Sequence, residues 1–265
     1  MEMKKDHDGT ARTAALCRKA AAQGAVLLKN EDAVLPLTAG ARVAVLRRCQ
    51  KEYYRSGTGS GGAVNVLYTT NLLDGLRNDH ITVNGMLADC YESWIAGHPF
   101  DNGGGGWACE PWCQAEMPVS QELAAKAAAA SNKAVVVIGR TAGEDKDNNA
   151  AKGSYFLTGT EKELLHNVCA HFEDVIAVLN VSNIIDMGFV QDSSHIKAVV
   201  YAWQGGMEGG NGIADVLTGR EVFQGKLTDT IAGKITDYPS DKNHGGTEKN
   251  IYQEDIYVGY RYFET

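Results

Sequence analysis

Short runs of apolar residues alternate along this chain with longer stretches in which apolar side chains recur every three or four positions. The short runs predict β-strands, and the longer stretches predict amphipathic α-helices. Strands are predicted at residues 42–46, 81–83, 134–138, 175–179 and 196–203, and helices at 10–28, 69–77, 120–130, 159–172 and 212–218. Strands that are separated by helices are typical of a parallel sheet with right-handed crossovers.

Local signals refine the ends of these elements. The Val26-Leu27-Leu28 run is assigned to the apolar side of the first helix, and Thr160 with Glu163 predicts a capping box at the start of the helix at 159–172. Residues 226–231 are predicted to form a closing edge strand. Because the sequence shows no internal repeat and no interdomain linker, residues 1–265 are predicted to form one α/β domain.

The composition excludes several classes of protein. The 265 residues are 44% hydrophobic and the mean hydropathy is -0.26, which predicts a soluble globular protein. Residues 1–10 are polar and charged, so we expect no signal peptide and a cytoplasmic location. No apolar run approaches the roughly 18 residues of a membrane span. The net charge of -8, without a basic cluster, argues against binding to nucleic acid or to a membrane and favours a neutral ligand.

The cysteines and histidines do not form an obvious site. Six scattered cysteines are expected to be free thiols, and Cys109 with Cys113 lacks the second ligand pair that a structural metal site needs. The seven histidines lie mainly in polar surroundings, and no G-x-S-x-G elbow is present. We therefore predict no metal site and no nucleophilic triad.

A carboxylate follows the most apolar strand. The strand at 134–138 runs directly into a glycine-containing turn that carries Glu144, with Asp145 beside it. Loops at the carboxyl ends of buried parallel strands are where open α/β sheets hold ligands. Glu144 is thus a candidate for acid–base chemistry, and the alternative is an acidic side chain that is merely solvated.

A second glycine-rich segment permits a nucleotide interpretation. Residues 57–62 read G-T-G-S-G-G and formally match G-x-G-x-x-G. A dinucleotide site places this motif directly after a strand and at the start of a helix, whereas here a polar stretch, residues 47–55, precedes it. A nucleotide-binding oxidoreductase therefore stays a weaker alternative, and a tight loop without a ligand is another.

Five ordered motifs resemble the second domain of glycoside hydrolase family 3 enzymes, in particular bacterial β-glucosidase-like members. They are A-Q-G-A-V-L-L-K-N at 22–30 with L-P-L at 35–37, Y-Y-R-S-G-T-G-S-G-G at 53–62, G-R-T-A-G-E-D at 139–145, W-Q-G-G-M-E-G-G at 203–210 with A-D-V-L-T-G at 214–219, and Y-V-G-Y-R-Y-F at 257–263. The resemblance runs from about residue 11 to the end. The sequence departs from the pattern where Leu46-Arg47-Arg48 replaces a strand end that usually contains glycine, and at Lys146, where arginine is common.

The resemblance implies an (α/β)6 sandwich: a mostly parallel sheet with one antiparallel edge strand and helices on both faces. It implies that a (β/α)8-type barrel, absent here, carries the nucleophile, and the start of the sequence near the sandwich resembles a permuted domain order in which the barrel follows. Its partners would be a β-linked oligosaccharide or glycoside and that barrel, and the face left uncovered is expected to allow a homo-oligomer.

By the same resemblance Glu144 is the general acid/base of retaining glycoside hydrolysis, with its pKa raised by aromatic neighbours such as Trp107 or Trp112. Asp145 is the rival for that role and more readily a hydrogen-bonding group of the loop. The implied substrate-binding residues are Arg55, Ser56, Ser60 and Asp145, and no cofactor is expected. A catalytically inert module that binds a sugar or a partner is the main alternative function.

Overall fold

The computed structural model describes residues 7–246 and 248–264, so residues 1–6, on which the amino-terminal expectation largely rests, lie outside the described part of the chain. The helices are α1 (His7–Gly24), α2 (Leu72–Asn78), α3 (Gly85–Gly97), α4 (Gln121–Ala130), α5 (Gly159–Cys169), α6 (Gly188–Gln191), α7 (Gly209–Thr218) and α8 (Tyr260–Phe263). The strands are β1 (Val26–Asn30), β2 (Arg42–Leu46), β3 (Thr82–Val83), β4 (Lys133–Gly139), β5 (Val175–Asn180) and β6 (Ile196–Tyr201).

The strands form one six-stranded sheet with the order β1-β6-β5-β4-β2-β3. β1 pairs antiparallel with β6, and all the other neighbours are parallel. The predicted fold class, a mostly parallel sheet with one antiparallel edge strand, is confirmed.

Alternating side chains of the sheet build two cores. Along β4, Val135 and Val137 point into one core, and Ala134, Val136 and Ile138 point into the other. Helices α1, α2 and α7 cover the first face, while α3, α4 and α5 cover the second. The central strands are therefore buried on both faces, which is why their sequences are continuous apolar runs.

The antiparallel edge strand is not the segment that the sequence predicts. The run at 26–28 lies in β1 and not in the first helix, because α1 ends at Gly24 and the chain then pairs with β6, Val26 opposite Tyr201. A glycine near a helix end favours such a break. Residues 226–231 form no strand; Leu227 and Ile231 pack as single side chains against the core that α3, α4 and α5 cover.

Two helix starts also differ from the sequence prediction. The capping box of α5 is formed by Thr158 and Glu161, two residues before the predicted pair of Thr160 and Glu163. Helix α3 was not predicted; it begins after Asn84, whose side chain accepts the N–H of Leu87. In both places the side chain that caps the helix, and not the first apolar residue, sets its start.

The order of the strands creates a topological switch point between β2 and β4. From β2 the chain passes to β3 on one side, and then returns to β4, β5 and β6 on the other. Ligands of open α/β sheets bind at the carboxyl ends of the strands at such a point. The segments that leave β2 and β4, residues 47–62 and 140–147, carry all five candidate site residues.

Two features of the structure bear on membrane-spanning proteins and on disulfide-bonded proteins. Across residues 7–246 and 248–264, no helix combines the length and the apolar character needed to cross a membrane. All six cysteine side chains are unpaired thiols.

A buried ion cluster joins the carboxyl ends of β2 and β4. Arg140 donates two hydrogen bonds of 2.7 Å to the two carboxylate oxygens of Glu161. Arg47 Nη1 lies 2.6 Å from Glu161 Oε1, and Arg47 Nε donates to Glu116 at 3.0 Å. All four side chains are at most 3% exposed.

The backbone of Arg47 has a φ of 81°, a conformation that favours glycine. The arginine that replaces the usual glycine at this strand end is therefore accommodated by a strained backbone and by the buried cluster.

The charges of this cluster depend on one another. Burial by itself would raise the pKa of Glu161, but Arg47 and Arg140 outweigh it and hold that pKa well below its ordinary value. A carboxyl whose pKa is lower in the folded than in the unfolded state stabilises the fold above its unfolded pKa, about 4.3, and this contribution is lost as the pH falls below that value.

We expect Glu161→Gln to lower the free energy of unfolding by about 3 kcal/mol at pH 7, because it leaves two buried guanidinium groups without their shared carboxylate. The difference from the parent protein should shrink as the pH falls below about 4, where the parent loses the same contribution. Urea unfolding followed by circular dichroism at a series of pH values measures both effects.

The matched control is Glu122→Gln, which makes the same change in the first turn of α4. Glu122 forms an exposed pair with Lys126, and its side chain is 78% exposed. The unfolding midpoint of this variant should stay at that of the parent protein. Equal effects of the two substitutions would show that the buried cluster contributes nothing beyond a surface pair.

Candidate active site

Glu144 lies at the tip of a tight turn that follows β4. After Gly139 the chain stays buried through Arg140 and then reverses direction. The Gly143 N–H donates to the Lys146 carbonyl at 3.1 Å, and the Lys146 N–H donates to the Gly143 carbonyl at 3.0 Å. The Glu144 side chain is exposed on this turn. The Glu144 carboxylate is thus exposed to solvent at the tip of a turn whose start is anchored at the end of β4.

The glycine-rich segment after β2 packs directly against this turn. The Thr58 N–H donates to the carbonyl of Ala142 at 3.2 Å, and the Ser60 N–H donates to Glu144 Oε2 at 3.0 Å. A Cβ on Gly59 would lie 2.3 Å from the Glu144 Cβ, and one on Gly57 would lie 2.1 Å from the Ala142 carbonyl oxygen. These glycines are required because the two loops approach too closely to leave room for a side chain at either position.

The contact with Ser60 favours the charged form of Glu144 in this chain. The backbone N–H of Ser60, followed by its side chain, lowers the pKa of Glu144 below its ordinary value, since both hydrogen bonds favour the charged form. The expectation that Trp107 or Trp112 raises this pKa applies to the loop packed under the barrel, and it stays a prediction. The Trp107 indole N–H donates to Asp145 Oδ2 at 2.7 Å, and that of Trp112 donates to the Asp147 carbonyl at 3.0 Å.

The two tryptophans belong to a long loop, residues 98–117, that clamps the acid-bearing turn from its other side. Besides the indole contacts, the Thr141 N–H donates to the carbonyl of Trp112 at 2.8 Å. Lys146 places its ammonium group 4.8 Å from the centre of the Trp112 ring and donates to the Ala108 carbonyl at 3.3 Å. The turn is therefore held between two loops.

Asn180, the last residue of β5, ties the neighbouring segments together. Its side chain is fully buried, accepts the N–H of Tyr54 at 2.7 Å, and donates to the carbonyls of Tyr54 at 2.9 Å and Trp203 at 2.8 Å. One amide thus fixes the segment that leads into the glycine-rich loop.

The candidate residues lie in and around one cleft of about 540 Å³. Arg55 and Ser56 line it, and the Arg55 guanidinium donates to the carbonyls of Val64 at 3.0 Å and Gly62 at 3.4 Å, so it also shapes the loop. Ser60, Glu144 and Asp145 do not line the cleft, but they lie at its border, because Gly59 and Trp107, which contact them, are part of its wall.

The glycine-rich segment lacks the context that a dinucleotide site needs. Residues 59–61 form a single 3-10 turn, and α2 begins only at Leu72, after an extended stretch. No helix N-terminus therefore follows the glycines to receive a pyrophosphate. Within the described residues, no group of three or more His, Cys, Asp or Glu side chains is placed to hold a metal ion.

Sequence reasoning missed several residues that build the site. Tyr54, Thr58 and Glu110 line the cleft, and Asn180 and the buried arginine–glutamate cluster position its loops. A signal was available for the positioning residues: Arg47, Arg140 and Asn180 are polar residues at the carboxyl ends of buried strands, where an uncompensated polar group is costly. No local pattern distinguishes Glu110 from other loop acids.

Residues 25–260 match the model of the glycosyl hydrolase family 3 C-terminal domain. A β-glucosidase of Ruminococcus albus is 52% identical over 244 residues, which cover 92% of this chain and 25% of that protein. The structure of a β-glucosidase from Paenibacillus barengoltzii superposes with a TM-score of 0.92 at 59% identity and covers 95% of this chain and 28% of that one. The structure of β-glucosidase 3B from Thermotoga neapolitana in complex with glucose superposes with a TM-score of 0.85 at 32% identity. That match covers 99% of this chain and 37% of the other one. The chain thus spans between about a quarter and just over a third of the length of these relatives.

We expect Gly59→Ala to separate the two loops, because the new Cβ would meet the Glu144 side chain and φ at this position is 78°. Loss of the Ser60 contact should return the pKa of Glu144 to the ordinary range of a glutamate. Carbon-13 NMR titration of the Glu144 carboxyl measures this change. Gly61→Ala is the control, since its Cβ would meet nothing within 4 Å, and it should leave the low pKa intact. An unchanged titration in Gly59→Ala would contradict the assigned contact.

Proposed function

Because the chain belongs to glycosyl hydrolase family 3, we propose that it supplies the general acid/base for retaining hydrolysis of β-linked glycosides. The observation that carries this proposal is the placement of Glu144: an exposed carboxylate at the switch point of the sheet, fixed by the Ser60 N–H and clamped between two loops. A group that transfers protons to a substrate has to be both accessible and held in position.

In the proposed reaction Glu144 acts twice. It first protonates the oxygen of the departing group while a carboxylate nucleophile attacks the anomeric carbon, and it then removes a proton from the water that releases the glycosyl intermediate. The two carboxyl groups of retaining enzymes lie about 5–5.5 Å apart. The nucleophile is proposed to come from a (β/α)8-type barrel that packs against the loop face of this domain.

The other candidate residues receive supporting roles. Ser60 orients Glu144 through its backbone and presents its hydroxyl to the substrate beside it. Arg55 and Ser56 line the cleft next to this pair and are proposed to contact sugar hydroxyls. Asp145 is proposed to act through the loop, because its carboxylate already accepts the Trp107 indole N–H.

A β-glucoside is the proposed substrate class, supported by relatives that are β-glucosidases. The second candidate is a catalytically inert module that binds a sugar or a partner. The solvent exposure of Glu144 and its low pKa favour that alternative in the chain by itself, because a carboxylate at neutral pH cannot donate a proton. Kinetics of the enzyme that contains this chain distinguish the two functions.

The 265-residue chain alone should hydrolyse aryl β-glycosides at least ~10³-fold more slowly than an enzyme that contains it, because a lone acid/base forfeits covalent catalysis. Release of 4-nitrophenol from β-glucoside, β-xyloside and β-galactoside measures the rate. Robust turnover of any of them by the chain alone would overturn the proposal that the nucleophile lies elsewhere.

In the enzyme that contains this chain, Glu144→Ala should slow the hydrolysis of a disaccharide by about 10²–10⁴-fold and affect an activated aryl glucoside far less, because only a poor leaving group needs a proton. Added azide should restore turnover of the aryl substrate, since it attacks the glycosyl intermediate without a base. Steady-state kinetics with product analysis measure both effects.

Asp145→Ala is the control for this prediction. It removes the neighbouring carboxylate and the contact with Trp107, yet it should show neither the dependence on the leaving group nor rescue by azide. If Asp145→Ala is rescued while Glu144→Ala retains normal activity on a disaccharide, the acid/base has been assigned to the wrong residue.

A further inference from the structure

One residue of the long loop bridges both limbs of the acid-bearing turn. The carbonyl of Trp112 accepts the Thr141 N–H at 2.8 Å, and its indole N–H donates to the Asp147 carbonyl at 3.0 Å. Thr141 lies three residues before Glu144, and Asp147 lies three residues after it. The two bonds therefore join the incoming limb of the turn to the outgoing limb, and Trp112 holds the limbs at a fixed separation.

The ring of Trp112 makes a third contact with the same turn. The Lys146 ammonium group lies 4.8 Å from the ring centre, a distance at which a cation is attracted to an aromatic face. The backbone of Lys146 also pairs with Gly143 through the two hydrogen bonds that close the tip of the turn around Glu144. The carbonyl, the indole N–H and the ring of Trp112 thus all contact the segment that carries Glu144.

Trp112 is attached to the core through the residues that follow it. Glu116 accepts the Arg48 N–H at 3.1 Å, and the Arg48 guanidinium donates to the carbonyls of Ala115 at 2.8 Å and His98 at 3.0 Å. Arg48 is 1% exposed and lies two residues after the end of β2. This arginine therefore joins the two ends of the long loop beside the sheet, and Trp112 contacts the turn from a fixed support.

Trp107, the other tryptophan of the loop, is attached differently. It follows the four glycines at 103–106 and is 54% exposed, and three of these glycines have positive φ values that other residues rarely adopt. Trp107 can shift with this glycine run, so the hold on the turn rests on Trp112. The described residues that line the cleft include Trp107 but not Trp112, so Trp112 acts on a substrate only through the turn.

We propose that Trp112 is a positioning residue for the acid/base, which holds the turn so that the Glu144 carboxyl meets the leaving oxygen in the orientation that proton transfer needs. This inference rests on the proposed role of Glu144. Proton transfer requires the two heavy atoms to come within hydrogen-bond distance, and a misplacement of about 1 Å can lower a rate on the order of 10²-fold. Trp112 carries no proton in the reaction and acts by restricting the motion of the turn.

The kinetic test is Trp112→Phe in the enzyme that contains this chain, which keeps an aromatic ring beside Lys146 and removes the indole N–H that the Asp147 carbonyl accepts. For a β-linked glucose disaccharide, kcat/KM should fall about five- to twentyfold, with KM within about twofold of the parent value. For 2,4-dinitrophenyl β-glucoside it should change less than about threefold, because this leaving group needs no proton. Equal losses on both substrates, no loss on either, or a loss confined to KM would overturn the proposal.

A double-mutant cycle tests whether the effect passes through Glu144. In the Glu144→Ala enzyme, the further substitution Trp112→Phe should lower kcat/KM for the disaccharide less than about twofold, because no carboxyl remains to be positioned. A further loss as large as that in the parent enzyme would show that Trp112 acts independently of the acid/base, and the proposal would be wrong.

Trp203→Phe is the matched control. The Trp203 indole N–H also donates to a backbone carbonyl, that of Gly24 at 3.1 Å, but this contact lies at the end of α1 and not on the acid-bearing turn. The control removes the same kind of bond elsewhere in the fold, so the ratio of the two kcat/KM values should stay at that of the parent enzyme. A shift of this ratio equal to that in Trp112→Phe would assign the effect to a general loosening of the fold and would contradict the positioning role.

An exchange measurement separates this inference from the proposed function. In the 265-residue chain, Trp112→Phe should speed hydrogen exchange of the Gly143 and Lys146 amides at least about tenfold, while the Val178 amide in the centre of the sheet exchanges as before. Faster exchange at the turn alone supports the hold of Trp112 on it, even if Glu144→Ala refutes the acid/base role. Unchanged exchange of both turn amides would overturn the positioning role while leaving the acid/base role intact.

Discussion

Two arginines at the ends of adjacent strands share one buried carboxylate, and the geometry of the candidate active site depends on that contact. Moving charges out of water costs several kcal/mol for each ion, so the cluster of Arg47, Arg140 and Glu161 is stable only with close and complete pairing. Glu161 also accepts the N–H of Thr158 at 2.7 Å, and Arg140 donates to the carbonyl of Ser154 at 3.0 Å. The segment that carries the acid therefore begins and ends at the same cluster. The two ends of this segment are thereby anchored in the core, which limits how far the exposed turn between them can move.

The loops of this face carry two carboxyl groups whose environments shift their pKa values in opposite directions. Glu144 is exposed and receives hydrogen bonds from Ser60, so its charged form is favoured. Glu110 is half-buried, and this burial favours its neutral form and raises its pKa to about 7. Opposite shifts of neighbouring acids are how one site assigns different tasks to the same functional group.

The sequence predicts the central sheet well because its strands are buried on both faces, and nothing but a continuous apolar run satisfies that environment. The prediction from sequence is wrong for two segments outside the central strands. The run at 26–28 is apolar enough for a helix or a strand, and only its pairing with β6 decides between them. Residues 226–231 have a strand-like composition but pair with neither edge strand of the sheet. Glu144 could be identified because a local motif surrounds it. Glu110 could not, because its burial depends on a loop folding back against β2 and β4, which is a tertiary property that no window of sequence contains.

The lowered pKa that the Ser60 hydrogen bonds give Glu144 is compatible with the double role proposed for it. An acid/base that serves both steps needs to lose its proton as readily as it gains it, so its pKa in the assembled site has to be intermediate. Enclosure beside a second carboxylate would raise that pKa through desolvation and like charge, and without an opposing contribution the proton would be held too tightly for the second step. The Ser60 N–H supplies the opposing contribution in advance. In the proposed reaction, this domain would fix the position of the acid and favour its charged form, while a barrel packed against the loop face would favour the neutral form.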